Sequence, residues 1–143
     1  MLGGMRRPPI GITLTRTAKA ASRAFDDRLA AAGGSRPSWL ILVSLKSQQL
    51  ANQRELAEAV GIQGATLTHH LNAMEADGLI ERHRDPENRR VHQVRLTGPG
   101  EKLFIRLARV AQEHDARMRA GLNEDELATL ASLLDRLYEN VTG

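Results

Sequence analysis

The side chains best placed by type and spacing to do chemistry in this 143-residue chain fall into two clusters. In the first, Gln63, Thr66, Thr68, His69 and Asn72 offer amides, hydroxyls and an imidazole, interleaved with the small residues Gly64 and Ala65. Such groups can donate to phosphate oxygens or meet base edges, and an alanine methyl can touch a thymine methyl. The second cluster is cationic. From Arg82 to Arg95 there are five arginines (Arg82, Arg84, Arg89, Arg90, Arg95) against Asp85 and Glu87, a local charge of +3. Over the wider span Asn52 to Leu96, seven acids slightly outnumber six arginines, so the positive charge is placed rather than spread. A polyanion suits that arrangement. A solvated helix face and a charged surface turn are the bland alternatives.

Catalysis finds little support. There is no glycine-rich phosphate loop and no nucleophile–base arrangement, so an enzyme is not expected. His69, His70, His83, His92 and His114 lack the paired spacing of a metallohydrolase helix, and without cysteine a structural zinc site has no thiolate. No metal or cofactor is therefore expected, a zinc-responsive regulator being the alternative. The absence of cysteine also excludes disulfides and thiol-based peroxide sensing within the chain.

The elements that must position the two clusters are legible nearby. Asn52 can cap a short helix whose apolar face is Leu56, Ala57 and Val60, with Gly61 as its stop. Ile62 puts an apolar residue in the turn. A second helix is predicted from Gly64 to Asp77, burying Leu67, Leu71 and Met74 at i, i+4, i+7. This is helix-turn-helix spacing, with the polar cluster on the second helix. Gly78 ends that helix, and Leu79–His83 reads as a strand. Arg84 to Arg90 is a turn-rich tip, and Val91–Leu96 alternates as the return strand. The arginines thus sit on a β-hairpin, or wing, beside the helix-turn-helix.

Outside this region the chain reads as helices. Met1–Pro9 is expected to lack fixed structure. An amphipathic helix from Ile10 to Ala32 carries Leu14, Ala18, Ala21, Phe25 and Leu29, and Gly33–Pro37 breaks it. Ser38 is the expected cap of a second helix containing Trp39, Leu40, Leu42 and Val43, followed by a loop over Lys46–Ala51. Thr97 can cap a helix running to about Ala120 with Pro99 in its first turn. Asn123-Glu124-Asp125-Glu126 has the form of a capping box. Leu127, Leu130, Leu134, Leu137 and Val141 then make a coiled-coil-like seam on the last helix.

Leu56-Ala57, Val60-Gly61-Ile62, Thr66-Leu67-Thr68, Leu71, Met74-Glu75, Gly78-Leu79-Ile80, Arg84-Asp85-Pro86-Glu87-Asn88-Arg89-Arg90 and Val94-Arg95-Leu96-Thr97 form an ordered set. That set closely resembles the MarR/SlyA family of bacterial transcription regulators. Pro9-Ile10-Gly11 and Trp39-Leu40-Ile41-Leu42 extend the likeness over nearly the whole chain. The resemblance implies a mainly α protein, one MarR-type domain over 1–143. In it, a winged helix-turn-helix lobe at 52–96 is flanked by dimerisation helices at 10–50 and 97–143. Covering the monomer's own core is the other role open to those outer helices. It further implies a homodimer on palindromic double-stranded DNA, usually repressing transcription.

By the same resemblance Gln63, Gly64, Ala65, Thr66, Thr68, His69 and Asn72 face DNA, Gln63 and Thr68 as phosphate donors. Arg84, Asp85, Arg89 and Arg90 act at the wing, with Arg90 in the minor groove and Asp85 orienting the tip by pairing with an arginine. Two departures matter. His69 stands where SlyA-like proteins commonly carry arginine, and imidazole cannot make arginine's fork to guanine. Asn88 stands where many relatives have Asp. Arg16, Lys19 and Trp39 align with positions of a pocket for a small aromatic acid, although Trp39 could equally be core and the two cations solvated. A winged-helix protein-interaction module without sequence-specific DNA binding is the rival reading.

Composition agrees with these expectations without establishing them. The chain is long enough for one domain with a modest core, it is poor in aromatics, and its net charge is +3. No apolar run approaches the roughly 20 residues that span a bilayer. With no secretion-signal pattern at the start, a cytoplasmic location is expected.

Overall fold

The computed structural model describes residues 7–48, 51–88 and 92–143. Most of Met1–Pro9 therefore lies outside the described residues, as do Arg89 and Arg90. Among the described residues the order is α1 (Ile10–Ala31), α2 (Arg36–Gln48), β1 (Ala51–Asn52), α3 (Gln53–Val60), α4 (Gly64–Ala76), β2 (Ile80–Arg84), β3 (His92–Leu96), α5 (Gly98–Arg119) and α6 (Glu124–Thr142). The architecture is mainly α with a small antiparallel sheet, a winged helix-turn-helix. Contacts divide the chain into residues 1–111 and residues 112–143.

The first unit is organised by one aliphatic core. Leu56 of α3 and Leu67, Leu71 and Met74 of α4 are buried with Ile41, Leu42 and Leu45 of α2. Leu29 of α1, Ile80 of β2, Val94 of β3 and Leu103 and Leu107 of α5 complete it. The expected inward faces of both short helices are thus the buried ones. Asn52 accepts the Glu55 N–H at 2.8 Å, and Gly61 ends α3 with φ of 77°, a conformation that favours glycine. Ile62 packs partly buried against the core, fixing the turn.

The sheet has the order β1-β3-β2, and all pairs are antiparallel. Its register puts Ile80 opposite Leu96 and Arg82 opposite Val94, so Ile80 and Val94 reach the core. The third strand was not expected. The loop predicted over Lys46–Ala51 is partly helix, since α2 runs to Gln48, and Ala51–Asn52 pairs with Val94 and Gln93. A two-residue strand is too short to carry an alternating pattern.

Ser38 is not the cap of α2. That helix begins at Arg36, and Ser35 and Ser38 form a reciprocal pair across its first turn. Ser35 Oγ accepts the Ser38 N–H at 3.2 Å, and Ser38 Oγ accepts the Ser35 N–H at 2.8 Å. Proline needs no intrahelical N–H partner in the first turn, so Arg36-Pro37 starts a helix here instead of breaking one. At the other junction Thr97 caps α5 as expected, accepting the Gly100 N–H at 3.1 Å. Its hydroxyl also donates to the Gly78 carbonyl at 2.6 Å, and its N–H to the Leu79 carbonyl at 3.1 Å. The start of α5 is thereby tied to the turn between α4 and the wing.

In the second unit the capping box at Asn123 is complete. Asn123 accepts from the Glu126 N–H at 2.8 Å, and the Glu126 carboxylate accepts from the Asn123 N–H at 3.0 Å. No residue of α6 is buried. Of the seam, Leu130, Leu134 and Val141 are 46%, 40% and 83% exposed, while Leu127 and Leu137 are half-buried. In the first unit Ile10, Ile12 and Leu14 likewise leave the N-terminal half of α1 with exposed apolar side chains.

Candidate nucleic-acid interface

Burying Leu67, Leu71 and Met74 turns the opposite face of α4 outward. Gly64, Ala65, Thr66, His69 and Asn72 are exposed on it, and Gln63 is exposed at the N-cap position. Gln63 makes no side-chain cap bond, and the first turn of α4 holds no acid. The positive end of the helix dipole is therefore not neutralised from within the helix. A Cβ added at Gly64 would meet nothing within 4 Å. The chain's own packing thus does not require glycine there.

Two of the expected polar groups are engaged within the protein. Thr68 is half-buried, and its hydroxyl donates to the Gly64 carbonyl at 2.9 Å while receiving a long 3.4 Å bond from Gln53 of α3. In this arrangement its proton points back along the helix, away from any external phosphate. Asn72 gives its carbonyl oxygen to Arg82. His69 and His70 meet edge to face with ring centroids 5.7 Å apart, His69 exposed and His70 half-buried.

The sequence had counted Arg82 only as one cation among five. In the fold it is a brace. Its side chain is just 18% exposed, and Nη2 donates both to Asn72 and to Glu75 Oε1 at 2.8 Å, joining the wing to α4. Arg95 is also engaged, pairing across the hairpin with Glu81 at 3.0 Å, as their register dictates. Arg84 is exposed at the outer end of β2. Beyond it Asp85 Oδ1 accepts the Glu87 N–H at 2.9 Å, so the carboxylate shapes the tip through the backbone. The sequence does not specify which arginine pairs with Asp85, and of the tip arginines Arg89 and Arg90 lie outside the described residues.

Glu81 carries the one electrostatic perturbation in the wing among the described residues. Hydrogen bonds from His83, and then the bonds and charge of Arg95, hold its carboxyl below the usual glutamate range. A lowered folded value stabilises the hairpin above the ordinary glutamate pKa, and that contribution is lost as pH falls through the folded value. An NMR titration should give Glu81 a midpoint below the ordinary value, and Arg95→Ala should raise it. A normal midpoint in the wild type would contradict the pairing.

The expected ligand residues separate. Arg16 and Lys19 line a shallow groove along α1 with Pro9, Ile12, Thr15 and Arg23. Trp39 is not part of that groove. It is half-buried against the core and stacks on Phe104 of α5, centroids 5.8 Å apart and planes 16° from parallel.

An exposed polar helix after a tight turn, braced to a two-stranded hairpin, defines a winged helix. Residues 35–92 match the MarR family. The transcriptional repressor CouR, solved bound to a 23-mer DNA duplex, is similar at 27% identity and a TM-score of 0.81, over 96% of this chain and 97% of CouR. The PcaV transcriptional regulator of Streptomyces coelicolor has a TM-score of 0.84 at 24% identity, over 94% of this chain and 98% of its own. BpsR of Bordetella bronchiseptica, whose DNA binding is regulated by 6-hydroxynicotinic acid, has a TM-score of 0.76 at 22% identity, over 90% and 98%. Residues 35–92 thus carry a match to the MarR family, and over nearly its whole length the chain has the winged-helix fold of these solved transcription regulators.

Proposed function

We propose that the protein is a homodimeric repressor that binds palindromic promoter DNA and releases it when a small aromatic acid binds. The observation that carries this reading is the outward face of α4, with its uncapped N-terminus, unfilled space at Gly64 and exposed Ala65, His69 and Asn72 beside the braced wing. CouR, the similar repressor, is held on a duplex. In this reading Gln63 and the first-turn N–H groups of α4 take phosphate, with Thr66 beside them. Ala65 and His69 approach base edges. Arg84, Arg89 and Arg90 supply the wing's cations, Arg90 in the minor groove, with Asp85 shaping the tip. Thr68 supports the helix through Gly64 rather than touching phosphate.

The exposed seam of α6 and the exposed end of α1 supply apolar surface for a second copy. A two-fold dimer would set two α4 helices one helical turn of DNA apart, about 34–36 Å. DNA as the partner makes the cytoplasm the protein's compartment. The effector would need a cation for its carboxylate and an apolar wall. Arg16 and Lys19 provide the first and Ile12 part of the second, with Trp39 acting from outside the groove through its stacked pair with Phe104. Release requires that the acid bind the DNA-incompetent conformation more tightly than the competent one. 6-Hydroxynicotinic acid, which regulates BpsR, is of the right chemical class.

Gly64→Ala tests the helix face. Alanine favours a helix over glycine by about 1 kcal/mol, so thermal stability should hold or rise. Binding to a selected duplex should nevertheless weaken about tenfold, because the added methyl intrudes where DNA approaches. Melting curves and fluorescence-anisotropy titrations measure the two effects. Unchanged duplex affinity would remove α4 from the interface.

A further inference from the structure

The brace at Arg82 does more than hold the wing. We propose that Arg82 is a specificity-determining residue, because it fixes Asn72 as a hydrogen-bond donor toward DNA and so selects guanine over adenine at the base it faces. This rests on the DNA-binding reading above and deepens it. Nη2 of Arg82 reaches both Asn72 Oδ1 and Glu75 Oε1. Guanidinium has five N–H donors and no acceptor, so only the carbonyl end of the Asn72 amide can face it. The –NH2 end is then turned away. Asn72 itself is exposed, on the same face of α4 as Ala65 and His69.

The consequence follows from the edges that bases present in the major groove. An unconstrained asparagine pairs with adenine in two bonds, accepting from N6 and donating to N7. With its oxygen held by Arg82, Asn72 can offer only donors. Guanine presents two adjacent acceptors, N7 and O6, and cytosine presents a donor. The donor-only amide therefore matches guanine, and adenine loses the bond that made it the usual partner. Glu75 keeps the guanidinium in place by binding the same nitrogen, and Arg82 itself is only 18% exposed.

Selection of bound duplexes from a random pool, using the full chain, separates this from a merely structural brace. The wild type should select guanine at one position in each half-site, and Asn72→Ala should lose preference at that position alone. Arg82→Met removes the donors and frees the amide to turn, so adenine should rise at that position until it rivals guanine. Arg82→Lys, still donor-only, should keep guanine. Asn72→Asp leaves the brace intact but offers only acceptors, so guanine should be rejected by about tenfold or more. This last arm decides the matter if Arg82→Met does not fold. An unchanged preference in both Arg82→Met and Asn72→Asp, or a uniform loss across all positions, would overturn the proposal. A wild type that selects no sequence would instead overturn the DNA-binding reading, and this inference with it.

Discussion

Gly100→Ala should destabilise the protein by about 3 kcal/mol, the upper range for forcing extra volume into a packed site. Glycine to alanine inside a helix ordinarily gains about 1 kcal/mol, so the sign alone is informative. Here an added Cβ would lie 2.0 Å from the Leu79 carbonyl oxygen, 3.1 Å from its carbon and 3.3 Å from Leu96 Cδ2. The struck oxygen is the acceptor of the Thr97 N–H, so the junction between α4, the wing and α5 must open to accommodate it. At roughly 2–4 °C per kcal/mol for a chain of this size, the melting temperature should fall by about 6–12 °C. Gly64→Ala, which meets open space, is the matched control. Equal melting temperatures for the two variants would contradict the close approach at Gly100.

Leu134→Asp should split the proposed dimer and cost about a hundredfold or more in affinity for a full operator. Two linked lobes gain that much or more over one by effective concentration alone. Leu134 is 40% exposed in the single chain, so a charge there can be solvated in a monomer. Between two apolar seams the same carboxylate would be buried without a partner. Sedimentation velocity should show a monomer with unchanged helix content by circular dichroism. A variant that remains dimeric would move the interface elsewhere.

The helix-turn-helix was legible because its signals are local. The cap at Asn52, the stop at Gly61 and the triplet Leu67, Leu71, Met74 each act within one or two turns. The capping box at Asn123 was legible for the same reason. What was missed depends on partners distant in sequence or on alternatives that local rules do not rank. Ala51–Asn52 becomes a strand only because β3 passes beside it. Ser35 and Ser38 are both good caps, and the geometry of the first turn decides between them.

The candidate site divides in the same way. The outward face of α4 follows from the inward one, so exposure of Ala65, His69 and Asn72 could be anticipated from periodicity. That Thr68 bonds back to Gly64 could not be read from the residue type, because a threonine hydroxyl serves either role. Arg82 lies on the same side of β2 as Arg84 but one pair further in, where it meets Asn72 and Glu75, which a charge count cannot reveal. Trp39, similarly, finds Phe104 across 65 residues and so sits apart from the cations it was expected to join.

The most direct measurement of two-fold operator recognition compares three duplexes carrying one selected half-site sequence. One holds it as an inverted repeat with centres a helical turn apart, one as a direct repeat at the same spacing, and one as a single copy. Titration with stoichiometry by sedimentation should give two chains on the inverted repeat, bound at least tenfold more tightly than on either of the others. A single chain per duplex, with all three bound alike, would contradict the account.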